Sequence, residues 1–150
     1  MEIYVLDIEM ARKRIPEKPE LLIGILNSKP PLNVPAEVIP SSLRLDYLTY
    51  VFDDIDERYE DYVLIDEKIA REILTDFSEY KDRIESLAIH CQAGLGRSPA
   101  VASALNDVFD LGSQEDYFEL YKDTINRIVY MAICRKAFEL GISGKEPVWR

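Results

Sequence analysis

The sequence predicts an α/β domain, with a central, mainly parallel β-sheet flanked by helices on both faces. Three observations carry that prediction. Short apolar runs at 3–8, 21–26, 43–52 and 86–91 have the length of strands rather than helices. Longer segments repeat apolar residues every three or four positions, the helical period. The two kinds alternate along the chain, which favours parallel strands joined by helices. A length of 150 residues fits one domain spanning 1–150, and a 47% hydrophobic content is enough for a real core.

Taken in order, "IYVLDI" (3–8) and "LLIGIL" (21–26) read as the first two strands. "RKRIPEKPE" between them is charged and broken by prolines, and reads as a loop. Four prolines in "NSKPPLNVPAEVIPSS" (27–42) predict a long irregular connection. In "LRLDYLTYVF" (43–52), Leu43, Leu45 and Tyr47 alternate, then Leu48, Tyr50 and Phe52 do, so the strand slips once. Ile69, Ile73, Phe77 and Tyr80 mark a helix within 66–84, with Asp66 as its N-cap. "SLAIHC" reads as a buried strand, and "SPAVASALNDVFDLG" as a helix with Gly112 just past its end. "SQED" (113–116) resembles a capping box with Asp in place of the usual Glu. The last helix is expected over about 125–140, with Gly141 beyond it.

Composition narrows the function. The formal net charge is −10, which disfavours nucleic acid and anionic membrane as partners, because both need positive charge facing phosphates. No apolar stretch approaches the roughly 18 residues of a membrane span. The acidic opening "MEIYVLDIEM" does not read as a signal peptide. Two cysteines make no disulfide framework. A cytoplasmic setting is expected.

The chemistry concentrates in "SLAIHCQAGLGRSPAVASAL" (86–105), where the only histidine, His90, directly precedes Cys91. An apolar strand, a glycine-bearing turn and a helix build an anion cradle. Backbone N–H groups of the turn converge, and the helix N-terminus adds partial positive charge. Gly94 and Gly96 admit backbone angles that side chains forbid, and Pro99 suits a first helical turn. The segment lacks the Gly-x-x-x-x-Gly-Lys-Ser/Thr loop of nucleotide hydrolases, since Arg97 follows Gly96. It also lacks the Gly-x-Gly-x-x-Gly dinucleotide turn, since Pro99 fills the third glycine's place. The candidate phosphate-binding set is therefore Gln92, Ala93, Gly94, Leu95 and Gly96 through the backbone, with Arg97 through its planar fork. In the field of those amides and of Arg97, Cys91 is expected as a thiolate, an in-line nucleophile beneath a bound phosphate. Ser98 is placed to donate a hydrogen bond to that sulfur as it leaves. His90 is expected to point away and to support the loop.

The nine residues "HCQAGLGRS" match the pattern His-Cys-x5-Arg-Ser/Thr. On them the chain resembles the cysteine-dependent tyrosine and dual-specificity protein phosphatases, and by its length their compact prokaryotic members. The resemblance implies a dual-specificity-phosphatase-like fold and hydrolysis of phosphotyrosine in proteins or peptides. Phosphoserine and phosphothreonine are further candidate substrates. It also implies a phosphocysteine intermediate, no metal or other cofactor, and inhibition by phosphate and vanadate. Chain order agrees with the dual-specificity branch. In low-molecular-weight tyrosine phosphatases and arsenate reductases the loop lies near the N-terminus, whereas here it starts at 91.

A phosphatase of this kind needs a general acid for the leaving oxygen. "YVFDDIDERYEDY" (50–62) supplies carboxylates upstream, without the Trp-Pro-Asp of some relatives. Compact members of the family place the acid at the second of two such aspartates, which selects Asp54, followed by Asp53 and then Asp56. Packed carboxylates are expected to raise one another's pKa. Asn126 and Arg127 are candidates to brace the loop. Cys134 reads as a packed thiol, with a redox partner for Cys91 as the minority alternative, and Trp149 as a surface anchor or part of a disordered tail. The alternatives to phosphatase activity are a rhodanese-like sulfurtransferase and a pseudophosphatase that binds phosphopeptides. Uncharged Gln92 and Leu95 disfavour inositol phosphates, whose phosphatases carry basic residues in the loop.

Overall fold

A computed structural model describes residues 1–149; Arg150, the last residue of the domain expected over 1–150, lies outside them. Four parallel strands, β1 (Glu2–Leu6), β2 (Glu20–Leu26), β3 (Arg44–Val51) and β4 (Ser86–His90), form one sheet in the order β1-β4-β2-β3. The β4 strand pairs with β1 and β2 in continuous register, Leu6 opposite His90 and Gly24 opposite His90, so whatever follows His90 leaves from the middle of the sheet.

Alternate residues divide the sheet between two unequal layers. Leu21, Ile23 and Ile25 of β2 and Leu87 and Ile89 of β4 face the main core. That core is completed by α2 (Glu67–Tyr80), α3 (Arg97–Phe109), α4 (Tyr117–Leu120) and α5 (Arg127–Glu139). Phe77 of α2 and Ile133 of α5 are fully buried there. Small residues at Ala100, Ala102 and Ala104 let α3 approach both the sheet and α5 closely, and every residue from Arg97 to Leu105 is buried. On the other face Leu22, Ala88 and Leu6 meet only one short helix, α1 (Ile8–Lys13), through Ala11, together with Val38 of the proline-rich connection and Tyr47.

The expected strands and long helices form, with corrections to their bounds and caps; the first strand stops at Leu6 rather than running to Ile8, which opens α1. The 27–43 connection is irregular and Asp66 caps α2, accepting from Ile69 N–H. The segment "RKRIPEKPE" is not wholly loop, because Arg12 and Lys13 end α1, which Asp7 caps. The slip in β3 falls earlier than expected. Glu20 pairs with Arg44 and Leu21 with Asp46, so Leu45 is the extra residue and Tyr47 faces the minor core. The cap of α4 is Asp116, which accepts from Phe118 and Glu119, rather than Ser113. The α3 helix ends on Asp110 in the left-handed region (φ 52°), with Gly112 two residues further on.

Candidate active site

The carboxyl ends of all four strands meet at one edge of the sheet, where parallel α/β sheets bind their ligands. After β4, residues 91–96 turn into α3, a 13-residue helix. The turn is fastened to the start of α1 by backbone. Ile8 N–H donates to Gln92 O at 3.3 Å on the β1 side. Gly94 has φ +72°, and a Cβ there would lie 2.8 Å from Asp7 N and 2.9 Å from Leu6 C, so both conformation and packing require glycine. Gly96 has φ −115°, outside the left-handed region, so the expected angle argument does not apply to it. Space does. A Cβ on Gly96 would fall 2.5 Å from Asp54 Oδ2.

Cys91 is 2% exposed, at the floor of this turn. Its Sγ lies 3.2 Å from Gly94 N, which donates to it, and 3.1 Å from Ser98 Oγ. The sulfur thus meets one backbone donor from the turn and a hydroxyl from the first turn of α3, a pair in which either atom can donate. Arg97 is buried, at 3% exposed. Its Nη1 donates to Phe52 O at 2.7 Å, bridging to the end of β3. Its Nε is buried with no hydrogen-bond partner, and among the described residues Arg97 makes no ion pair within 4.0 Å. A guanidinium withdrawn from water and left without a carboxylate is costly unless an anion meets it. Gln92 is half-buried, while Ala93 and Leu95 are exposed at the rim.

The three candidate acids separate clearly. Asp53 is buried and fully engaged. It accepts from Ser28 N at 2.9 Å, from the Ser28 hydroxyl and from Val63 N at 2.8 Å. Burial pushes its pKa up. The Ser28 hydroxyl, the Val63 and Ser28 amides and the Arg97 charge together outweigh this, and its carboxyl is held below the ordinary range. The expectation that the clustered carboxylates raise one another's pKa therefore fails at Asp53, because its nearest polar groups are donors rather than other carboxylates. Asp54 instead packs on Gly96, and Asn126 Nδ2 donates to its Oδ1 at 2.9 Å. Asp56 lies further out, on a cavity of about 630 Å³ that it shares with Asp54, Asn126, Arg127 and Trp149.

Asn126 is the brace. Besides Asp54, its Nδ2 donates to Ile55 O at 3.0 Å, its backbone N–H donates to Gly96 O at 3.1 Å, and its Oδ1 accepts from Val129 N at the start of α5. Arg127 does not reach the loop. It lies over the Phe118 ring, with its Nη1 buried and unpartnered. Cys134 is buried on α5, within the main core.

His90 points to the minor core. Cys91 O, 3.4 Å from Nδ1, can only accept, so Nδ1 carries the proton of the neutral ring. Nε2 then accepts from the Tyr47 hydroxyl 2.6 Å away, which itself accepts from Ala36 N–H at 3.0 Å. Gly24 makes room for the pair, since a Cβ there would sit 2.5 Å from His90 Nε2. Burial pushes the His90 pKa down, and the ring is neutral.

Sequence reasoning missed Ser28 and Tyr47, whose partners lie 25 and 43 positions away, and neither residue carries a local signal. It also missed Trp149 as a wall of the cavity. Among the described residues no group of three or more His, Cys, Asp or Glu is arranged to hold a metal ion, and no helix is long and apolar enough to cross a membrane. No protein-family model matches the chain, and no curated protein does.

Two outcomes follow from this geometry. Gly94→Ala is expected to lower stability by about 1–3 kcal/mol, seen as a fall in Tm, because it adds left-handed strain and a clash with backbone. The second concerns pH. The unfolded chain protonates His90 near 6.5 and the folded chain does so only at lower pH, so the unfolded state binds more protons in that window. Stability is expected to fall as pH drops below about 6.5, and His90→Gln to flatten that limb of a denaturant-midpoint series. Asp53 contributes a separate loss only below about pH 3.8. A wild-type stability profile flat from pH 7 to 5 would refute the neutral buried ring.

Proposed function

We propose that the chain is a cysteine-dependent phosphatase of dual-specificity-phosphatase-like fold that hydrolyses phosphotyrosine in proteins or peptides. Phosphoserine and phosphothreonine are further candidate substrates. The observation that carries this reading is the buried Arg97 guanidinium, without an ion-pair partner among the described residues, in the same loop as a thiol that accepts from Gly94 N–H and lies 3.1 Å from the Ser98 hydroxyl. Such a site is short of one anion, and phosphate fits a planar fork at a helix N-terminus.

In this scheme the Cys91 thiolate attacks phosphorus and the ester P–O bond breaks. Asp54, protonated before the step, gives its proton to the leaving oxygen, so a free hydroxyl departs and a phosphocysteine remains. Asp54, now ionised, takes a proton from a water that attacks phosphorus. The S–P bond breaks, and Ser98 donates its hydrogen bond to the departing sulfur. Arg97 and the amides of 92–97 hold the equatorial oxygens throughout. Asp54 suits the acid's role because it alone of the three aspartates packs on the loop backbone. Asp53 is held ionised by Ser28 and Val63 and acts as a structural anchor. Sulfur transfer, the runner-up, gives Asp54 no task. A cytoplasmic setting, where thiols stay reduced, suits a catalytic cysteine.

An assay on phosphopeptides with a chelator present tests the proposal. Cys91→Ser is expected to abolish turnover while retaining phosphate or vanadate binding, since the cradle is backbone and Arg97. Near-native hydrolysis by that variant would end the covalent scheme. Asp54→Asn is expected to slow a poor leaving group such as tyrosine by about 10²–10⁴-fold, and an activated aryl phosphate much less. Equal slowing of both substrates would remove Asp54 from proton transfer.

A further inference from the structure

The cavity of about 630 Å³ beside the loop is not where the phosphate would lie. Its wall contains Asp54 and Asn126 but neither Cys91 nor Arg97. If Asp54 protonates the leaving oxygen, the leaving group's body must extend from Asp54, and the space that opens there is this cavity. Its volume falls in the range of about 300–1,000 Å³ typical of sites that enclose organic ligands. Its other walls include the charged Asp56 and Arg127, the apolar Ile55 and Ile128, and two aromatic side chains, Tyr59 and Trp149. Both aromatics keep much of their surface free, Tyr59 at 46% and Trp149 at 58% exposed.

The C-terminal segment brings Trp149 to this place. Ile142 and Ser143 N–H groups both donate to Ala137 O, which turns the chain back after α5. Ser143 and Lys145–Val148 then line a groove with Val108 of α3 and Tyr130 and Cys134 of α5. The chain therefore places its sole tryptophan at the mouth of the leaving-group cavity.

Resting on the phosphatase reading above, we propose that Trp149 is a specificity-determining residue that packs on the aromatic ring of phosphotyrosine and favours it over phosphoserine. Two features support an aryl occupant. A flat ring recovers more contact from Trp149 and Tyr59 than a serine methylene does. The sulfur is also recessed, at 2% exposed, so a long side chain reaches it more readily than a short one.

The test uses the full chain and its only tryptophan as the reporter. Cys91→Ser is titrated with a phosphotyrosyl peptide, with the matching phosphoseryl peptide and with inorganic phosphate. Turnover by the native chain is measured on both peptides. The phosphotyrosyl peptide is expected to shift Trp149 emission and phosphate alone to leave it in place. Trp149→Ala is expected to raise KM for the phosphotyrosyl peptide about three- to tenfold, the factor one aromatic pair supplies. It should lower the phosphotyrosine-to-phosphoserine ratio of kcat/KM to match, and Trp149→Phe should restore most of both. Binding and turnover of the phosphotyrosyl peptide with unmoved emission and an unchanged ratio in Trp149→Ala would overturn the role of Trp149 and leave the phosphatase standing. A native chain that neither binds nor hydrolyses either peptide would overturn both.

Discussion

Asn126 is the interaction on which the geometry of the site depends. Three segments far apart in sequence meet at it: the acidic stretch after β3, the turn after β4 and the first turn of α5. Its two amide hydrogens go to Asp54 and Ile55, its carbonyl caps the helix at Val129, and its backbone N–H takes the carbonyl of Gly96. At 7% exposed it has little water to fall back on. Loss of the side chain would take the hydrogen-bond partners from Ile55 O, Asp54 and Val129 N–H, on two segments at once, which is the costly case for hydrogen bonds, while the backbone bond to Gly96 would remain. The same atoms fix where the Asp54 carboxylate lies relative to the loop. A positioning function and a stabilising one cannot be separated at this residue.

The loop itself is held from below and from both sides. The strand before it is hydrogen-bonded to two neighbours, and its first residues lean on the β1–α1 turn through Gly94. On the far side Arg97 ties α3 to the carbonyl of Phe52. The two glycines serve different ends. Gly94 supplies a left-handed backbone angle, whereas Gly96 supplies absence of volume so that a carboxylate can approach the chain. Beneath, His90 passes the constraint from Tyr47 and Ala36 to the carbonyl of Cys91. The one histidine of the sequence thus acts on the loop from the opposite face of the sheet.

How much of this the sequence shows depends on the range of each interaction. Strands and long helices were legible because burial imposes a period on neighbouring residues, and Cys91, Arg97 and Ser98 because they lie in one short segment. The α1 helix was hidden because only Ala11 among its six residues is buried, which leaves no period to read. In β3 a single extra residue, Leu45, shifts which side chains share a face, and its position depends on the partner strand. The acids show the limit most clearly. Asp53 and Asp54 are adjacent and chemically identical, so no local feature divides them. Ser28 and Val63 claim one, Asn126 and Gly96 receive the other, and only the folded chain brings those four residues near.

The proposed anion site in a chain of net charge −10 looks contradictory until distance is considered. Charges on the surface are screened over about 8 Å at physiological salt, so most of the acidic residues act weakly on a bound oxyanion. The donors that would meet it are fixed, close and partly shielded from water, where each contact counts for more. The long-range field therefore opposes the approach of a phosphate without deciding whether it stays. Asp53 illustrates the balance within the site: its own carboxylate is satisfied by Ser28 and Val63, and the Arg97 charge only assists. Arg97 consequently keeps one face of its guanidinium uncommitted, with Nε buried and unbonded. A carboxylate paired directly with that arginine would have stabilised the fold and closed the site. Holding Asp53 by neutral donors instead keeps the cation available to a ligand.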